Sequence, residues 1–419
     1  MLRVISGAYI VIILSLLLIP VKQVNAKTSI SFNEAIRIAL SRDALIKTYS
    51  AQSNAYLEAS VAEDTLPDPK VKLGVMNLPT DTYARDQEPM TQVLIGVQQM
   101  FPRGDSLHIK SQRAMQMSDI EQARVELQKR KVKRAVSQLW LEHYYWLKAK
   151  EVVKKNKVYF KELVLISKQQ YAAGRQKQQD VLRSELELGM LDDREEKIQT
   201  MIDITGSKLA KYIGTEYQEI TVQDELPEIQ FEVNNDAWID NHPEIRIENA
   251  KITVNKSNLE LSKQSYKPSW MLDLSYGIRE GNNMDGSERA NFVSAMVMFD
   301  LPLFTGDRQD RQVAASKYKL NSARDNQEEK KRNLINMWQE NNATLNRLAD
   351  RIKRYQKLLI PKSKENSEAA LYAYQSGRGS FTALARAQIT ELETQLSSLR
   401  LKIDLVKAQT QKIFLTANQ

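Results

Sequence analysis

The 419-residue chain contains no cysteine, which excludes disulfide scaffolds, thiolate nucleophiles, cysteine-ligated zinc and iron–sulfur clusters. A lipid-modified N-terminal cysteine is excluded for the same reason. Glycine and proline are scarce, at 14 and 11 residues, and there are only three histidines. So few helix-breaking residues favour long uninterrupted helices over a loop-rich enzyme.

The N-terminal segment has the layout of a secretory signal peptide. Arg3 precedes an apolar stretch over residues 9–20, and a small-residue site ends at Ala26. The apolar stretch holds about a dozen residues, fewer than the roughly 20 that a membrane-spanning helix needs. We therefore predict a signal peptide over residues 1–26 and an exported protein.

The chain is basic, with a formal net charge of +8, but this charge is not clustered. In segments 121–133 and 148–157 basic residues alternate with apolar residues at helical spacing. Such spacing indicates a solvated helix face and not a phosphate-binding stripe. No nucleic-acid partner is therefore expected.

The second half of the chain repeats the first half at an offset of about 201–203 residues. Three pairs of segments occur in the same order in both halves: 66–75 with 267–276, 101–105 with 303–307, and 171–175 with 374–378. A repeat of this length indicates a duplicated structural unit. We expect a first repeat over 27–228 and a second over 229–419.

Each repeat contains two segments in which apolar and polar residues alternate, which is the pattern of a β-strand. These segments lie at about 70–77, 91–101, 270–279 and 292–302. The polar segments that join them, 78–90 and 279–291, predict exposed loops. Strands of this length can cross an outer membrane as part of a barrel, and a soluble sheet packed on helices fits the same pattern.

Very long helices are predicted after the strand pairs. Segment 105–170 contains neither proline nor glycine, and segment 307–374 contains one proline, Pro361, and no glycine. About 66 helical residues measure about 100 Å, a length that suits a coiled-coil tube or stalk. The last helix has a heptad of apolar residues from Ala385 to Val406. Each long helix is expected to reverse at a Tyr-x-x-Gly-Arg motif, because glycine allows the positive φ that ends a helix.

The sequence carries no recognisable catalytic motif, so neither enzyme activity nor a cofactor is expected. The three histidines are scattered without metal-ligand spacing: His108, His143 and His242. An interhelical hydrogen bond is the expected role of His143. Met296 and Met298 share a strand face, with Met271 on the neighbouring strand, and thioethers can bind Cu(I) or Ag(I). Because methionine is more often a packing residue, no metal site is predicted.

Together these features resemble the TolC-like outer-membrane efflux protein family over about residues 30–415. Four segments are similar to the heavy-metal efflux branch of that family: 66–69, 77–79, 88–91 and 99–102. The resemblance implies a mainly α-helical homotrimer that forms a 12-stranded membrane β-barrel and a long periplasmic α-helical tube. A mixed equatorial segment would come from 214–240 and the C-terminus. The implied location is the outer membrane of a Gram-negative cell, in contact with its lipid.

The same resemblance implies the outer-membrane channel of a tripartite efflux system, a passive gated exit duct. The candidate substrates are heavy-metal cations, to which the subfamily likeness points, and drugs or other small molecules. A periplasmic membrane-fusion adaptor and an inner-membrane pump of the resistance-nodulation-division type are the implied partners. An oligomer is also expected on physical grounds, because four strands cannot close a barrel and open edges are not tolerated in lipid. The alternative is a periplasmic coiled-coil adaptor or scaffold that never enters a membrane.

The adaptor-contacting motif of the family maps onto the two predicted hairpin tips, at Tyr171, Gly174, Arg175, Tyr374, Gly377 and Arg378. Family channels often carry acidic residues six and nine positions after the second-repeat glycine, where this chain has Ala383 and Arg386. Asp180 and Arg183 occupy the corresponding positions of the first repeat. We hypothesise that Asp180 and the arginines near both turns form ion pairs, within or between protomers, that hold the periplasmic entrance closed. The gate candidates are Asp180, Arg183 and Arg386.

Overall fold

The computed structural model describes residues 28–215, 220–222, 225–229 and 238–416. The predicted signal peptide, 1–26, lies outside the described residues, as does part of the predicted equatorial segment, 214–240. In the described part of the chain, no helix combines the length and the apolar character needed to cross a membrane.

Most of the described chain is helical, as predicted. The helices are α1 (Phe32–Arg42), α2 (Ala44–Glu63), α3 (Ser106–Ala172), α4 (Gln178–Ile213), α5 (Pro243–Gln264), α6 (Gln309–Arg354), α7 (Ile360–Gln375) and α8 (Phe381–Thr416). Helix α3 alone contains 67 residues, which corresponds to about 100 Å. Ser31 caps the first helix: its hydroxyl oxygen accepts a hydrogen bond from the Glu34 amide and so satisfies an unpaired donor of the first turn.

One π-helical turn, Tyr355–Leu359, separates α6 from α7. Pro361 lies directly after it, in the first turn of α7. Proline has no amide proton, and its ring crowds the carbonyl group four residues earlier, which is that of Lys357. A single wider turn accommodates this residue within a long helix. The sequence predicted one long helix over 307–374 with Pro361 inside it, and the structure differs in the π-helical turn that precedes the proline.

The strands form one large sheet and one small one. They are β1 (Thr28–Ile30), β2 (Lys70–Met76), β3 (Gln92–Phe101), β4 (Ile220–Val222), β5 (Trp270–Ile278) and β6 (Phe292–Phe299). The large sheet is antiparallel in the order β2–β3–β5–β6, and β1 pairs with β4 in parallel. The pairing of β3 with β5 joins the two halves of the chain. Strands β2 and β6 form the two edges, which have no further strand neighbour among the described residues.

The hydrophobic core lies between the long helices. Midway along α3, the buried Trp140 packs edge-on against Phe32 at 5.5 Å and donates a hydrogen bond to the Ile30 carbonyl. His143 Nδ1 lies 2.8 Å from Thr205 Oγ1, which joins α3 to α4 as predicted. The heptad of α8 faces this core, and its buried members are Ala385, Leu392, Leu396, Ile403 and Val406. A strict heptad buries one stripe of a helix, which explains this pattern.

Candidate functional site: a two-faced sheet and two helical turns

One face of the four-stranded sheet carries exposed apolar side chains. Leu73 on β2 is 75% exposed and Val293 on β6 is 81% exposed. Further exposed residues of this face are Val71, Val75, Ile95, Val97, Leu274, Ile278 and Val297. The strand register places all of them on one side, because cross-strand partners share a face and alternate residues return to it. A continuous apolar surface of this extent is unfavourable in water and calls for an apolar environment.

The opposite face is polar and carries an ion pair that spans three strands. Lys72 Nζ on β2 contacts Asp273 Oδ2 on β5. The lysine passes over Gly96 of β3, which lies in register between Lys72 and Ser275. A Cβ atom at position 96 would lie 2.9 Å from the Leu274 carbonyl oxygen, so the close approach of β5 to β3 at this point requires glycine. The carboxylate of Asp273 is thus buried with a partner.

Aromatic residues mark the helix-proximal end of the apolar face. Phe101, Trp270 and Phe299 are cross-strand neighbours, and the rings of Phe101 and Trp270 stack at 3.8 Å. Just beyond them, Arg103 Nη2 lies 3.1 Å from the Asp300 carboxylate. An aromatic row between an apolar band and a polar region is typical of the rim of a membrane barrel.

Arg289 ties together the two loops at the other end of the sheet. Its Nη1 donates hydrogen bonds to the carbonyl oxygens of Asp86, Glu88 and Glu280 at 3.0–3.2 Å. An ion pair of 3.0 Å between Arg85 and Glu280 joins the same loops. The predicted exposed loops are therefore held to each other.

The two Tyr-x-x-Gly-Arg motifs form left-handed turns at the ends of α3 and α7. Gly174 has a φ of +68° and Gly377 has a φ of +74°. The amides of Arg175 and Arg378 each donate to the carbonyl oxygen five residues earlier, at 2.9 Å. This bonding ends each helix and starts the return helix. Both arginine side chains lie at the surface of the chain.

The tyrosines of the two turns have different surroundings. Tyr374 is 2% exposed, packs edge-on against Phe381 at 5.8 Å and lies 3.2 Å through its hydroxyl from Ser167 Oγ. Tyr171 is 48% exposed. At the repeat offset, Gln178 stands where the second half has Phe381, so Tyr171 lacks the aromatic neighbour. The sequence motif is the same in both turns, but only the first presents its tyrosine at the surface.

The gate candidates lie near the turns and form no ion pair with one another within the chain. Arg183 Nη1 donates to Thr382 Oγ1 at 2.9 Å and so links α4 to α8. Asp180 is half-buried in the first turn of α4, and Arg386 is exposed on α8. Neither takes part in an ion pair with any residue that the structure describes. The sequence allowed ion pairs either within one protomer or between protomers. Pairing between protomers stays a prediction.

A charge cluster links α3 to α8, and no sequence pattern predicted it. Arg400 Nη1 donates to both carboxylate oxygens of Glu142 at 2.9 Å, and Lys407 contacts the same carboxylate. Burial tends to raise the pKa of Glu142, but the hydrogen bonds from Lys407 and Arg400 outweigh it and hold the pKa below its ordinary value. The partners are 258 residues apart, and no local pattern signals such a contact.

His242 is buried at the start of α5, next to α8. Its Nδ1 accepts a hydrogen bond from the Glu244 amide at 3.2 Å, so the side chain caps the helix. Its ring meets the Phe414 ring edge-on at 5.6 Å. Two effects lower the pKa of His242 to about 4: burial, which is the larger, and repulsion from the Arg130 charge. The imidazole is therefore neutral at pH 7.

Comparison with known proteins finds a family model that matches part of the chain and solved structures that share its fold. Residues 236–414 match the family model for outer membrane efflux proteins. The structure of the outer-membrane channel OprN aligns with a TM-score of 0.79 and 14% identity, covering 92% of this chain and 89% of that chain. The CmeC outer membrane channel of Campylobacter jejuni aligns with a TM-score of 0.78 and 12% identity, over 92% and 85% of the two chains. For CusC the TM-score is 0.77 and the identity 13%, over 92% of each chain. No curated protein matches the chain by sequence.

Proposed function

We propose that this chain is the outer-membrane channel of a tripartite efflux system, because residues 236–414 match the family model for outer membrane efflux proteins and the fold is that of solved outer-membrane channels. In this proposal the four-stranded sheet lies in the outer membrane and the long helices lie in the periplasm, which the match to the outer membrane efflux family model supports. The proposed role of the chain is that of a passive, gated exit duct. An inner-membrane pump of the resistance-nodulation-division type would deliver the substrate through a periplasmic adaptor.

The two-faced sheet is the observation that carries this proposal. The exposed apolar face, with Leu73 and Val293, suits contact with lipid. The polar face, with the Lys72–Asp273 pair, suits a water-filled interior. The row of Phe101, Trp270 and Phe299 lies where the apolar band ends, as expected at a membrane interface.

The open edges of the sheet support a homotrimer. Unpaired backbone groups on β2 and β6 would be costly in lipid, and four strands cannot close a barrel alone. Three copies supply twelve strands, an even number within the range of such barrels. The long helices α3 and α6–α7 would continue the barrel as a periplasmic tube. We propose 27–228 and 229–419 as the two repeats of each chain.

The two helical turns are the proposed contact points for the adaptor. They present Tyr171, Gly174 and Arg175 in one hairpin and Gly377 and Arg378 in the other, while Tyr374 supports its turn from inside. Close to these turns, we propose that Asp180 and Arg386 of neighbouring protomers pair in the closed state. Arg183 positions α4 against α8 through Thr382.

Single-channel recording in planar lipid bilayers tests the proposal. We expect the purified full chain to open discrete channels, and the variants Asp180→Ala and Arg386→Ala to conduct more in the closed state. The matched control is Lys197→Ala, which removes an exposed charge farther along α4. Recovery as a soluble monomer without channel activity would contradict the channel and favour the scaffold alternative. An unchanged closed state in both variants would contradict only the gate.

A further inference from the structure

A row of methionines crosses the polar face of the sheet near its helix-proximal end. The register pairs Met100 on β3 with Met271 on β5, and Met271 with Met298 on β6. Met296 lies two residues along β6 and therefore on the same face. The sequence brought together only the last three of these four residues, because Met100 joins the row through a register that no local pattern reveals.

Packing does not account for this row. Met100 is 49% exposed and Met298 is 42% exposed in the chain, so neither fills a core. Every methionine of the four strands, including Met76, lies on the polar face, and none lies on the apolar face. A thioether would suit the apolar face equally well. The segregation of methionine to the water-facing side therefore needs a different explanation.

Side chains on this face can meet across an intervening strand. Lys72 on β2 contacts Asp273 on β5, which is two strands away. Asp273 lies two residues from Met271 on β5, in the row next to the methionines. Met100 and Met298 are also two strands apart, about 10 Å between strand axes. Each stands directly beside Met271, where cross-strand Cβ atoms are about 5 Å apart. Flexible methionine side chains can therefore converge above Met271.

We propose that Met100, Met271 and Met298 form a transit site for a soft monovalent metal cation, Cu(I) or Ag(I). Thioether sulfur is a soft, uncharged ligand that favours such ions over hard cations. The carboxylate next to this row, that of Asp273, is not available as a ligand for hard divalent cations, because it is paired with Lys72. In the described part of the chain no three His, Asp or Glu side chains are grouped to hold a metal.

Three neutral ligands hold an ion weakly, and weak binding is what a conduit requires for release. The site rests on the proposed function, because it takes the polar face to line the duct. It adds a substrate class to that function: soft metal ions that pass along the wall of the barrel.

Titration of the detergent-solubilised full chain with Ag(I), in chloride-free buffer, tests the site. Silver is used because it needs no reductant, and isothermal calorimetry reports the affinity. We expect about one Ag(I) per chain, and an affinity at least about tenfold weaker when Met100, Met271 and Met298 are all replaced by leucine. The matched control is Met76→Leu, which removes a methionine from the other end of the same face and should leave the affinity unchanged.

X-ray absorption of the silver-loaded protein supplies a second readout, in which we expect sulfur as the only first neighbour. If the triple leucine variant fails to fold, the single variant Met271→Leu and the absorption spectrum decide the matter. Absence of binding, equal affinity in the triple variant, or oxygen and nitrogen neighbours would each overturn the site. A chain that opens channels without binding Ag(I) refutes the site alone, whereas a chain that binds Ag(I) through these methionines without opening channels refutes the duct.

Discussion

At Gly96 the absence of a side chain lets two charges on separate strands meet. The Lys72 side chain occupies the space that a larger residue on β3 would fill, and it reaches Asp273 there. At His242 a titratable ring is buried, and burial keeps it neutral at pH 7. In both cases the local structure depends on one particular residue type.

Replacing Gly96 by alanine should destabilise the sheet. The new Cβ atom would lie 2.9 Å from the Leu274 carbonyl oxygen and 3.0 Å from Ser275 Cβ, and overpacking of this kind costs about 1–3 kcal/mol. The control is Gly74→Ala on β2, where a Cβ atom meets nothing within 4 Å. We expect a lower apparent melting temperature, by circular dichroism in detergent, for Gly96→Ala only. Equal melting temperatures would contradict the argument.

Acid should weaken the wild-type fold partly through His242. Its pKa falls from 6.5 to about 4 on folding, so the unfolded chain takes up this proton first as the pH drops. The contribution is absent above pH 6.5 and grows to roughly 3 kcal/mol of lost stability as the pH approaches 4.

The variant His242→Asn isolates this effect, because asparagine can still cap α5 but does not titrate. We expect the melting temperature of the wild type to fall more steeply between pH 6.5 and 4 than that of the variant. Parallel curves for the two proteins would show that His242 is not buried in its neutral form.

At the scale of elements, helix α8 is held against α3 by the cluster of Glu142, Arg400 and Lys407. These side chains are 20–38% exposed, so solvent screens the attraction only in part. The cluster lies midway along the helices, between the sheet and the turns. It is therefore placed to fix how the two helices run past each other.

Glu142→Gln should cost about 1–2 kcal/mol of stability, because two cations then face each other without their shared carboxylate. The folded pKa of Glu142 is lowered, so its contribution is present above the ordinary carboxylate pKa and is lost as the pH falls below it. The control, Glu151→Gln, removes a carboxylate that pairs with Lys148 on the exposed side of α3. A comparable loss in both variants, measured by thermal unfolding at pH 7, would argue against the cluster.

Elements with a regular pattern were predictable from the sequence, and their mutual contacts were not. Alternation at Val71, Leu73 and Val75 indicated β2, and the heptad from Ala385 to Val406 indicated the buried stripe of α8. The π turn before Pro361 was missed because a proline within a helical pattern does not say how the helix adapts. The different surroundings of Tyr171 and Tyr374 depend on a neighbour outside the motif.

At the scale of the whole molecule, the predicted resemblance to the outer-membrane efflux family is confirmed over residues 236–414, which match the family model. Over most of the chain the fold is shared with solved outer-membrane channels. The features that belong to the assembly remain proposals: the closed barrel, the gate and the adaptor contacts. Each concerns surfaces that a single chain leaves open, such as the edges β2 and β6. Sequence patterns describe those surfaces but do not show what covers them.

The central claim is that one face of the sheet meets lipid while the other meets water. Because the chain has no cysteine, spin labels can be attached at single introduced cysteines without background. The apolar-face sites are Leu73, Val97 and Leu274, and the matched polar-face sites on the same three strands are Lys72, Gln98 and Ser275.

Electron paramagnetic resonance of the labelled protein in liposomes then compares collision with oxygen, which concentrates in lipid, and with a water-soluble nickel complex. We predict that labels at the three apolar-face sites collide mainly with oxygen and labels at the three polar-face sites mainly with nickel. Equal access of the nickel complex to all six sites would contradict the account, because it would place both faces of the sheet in water.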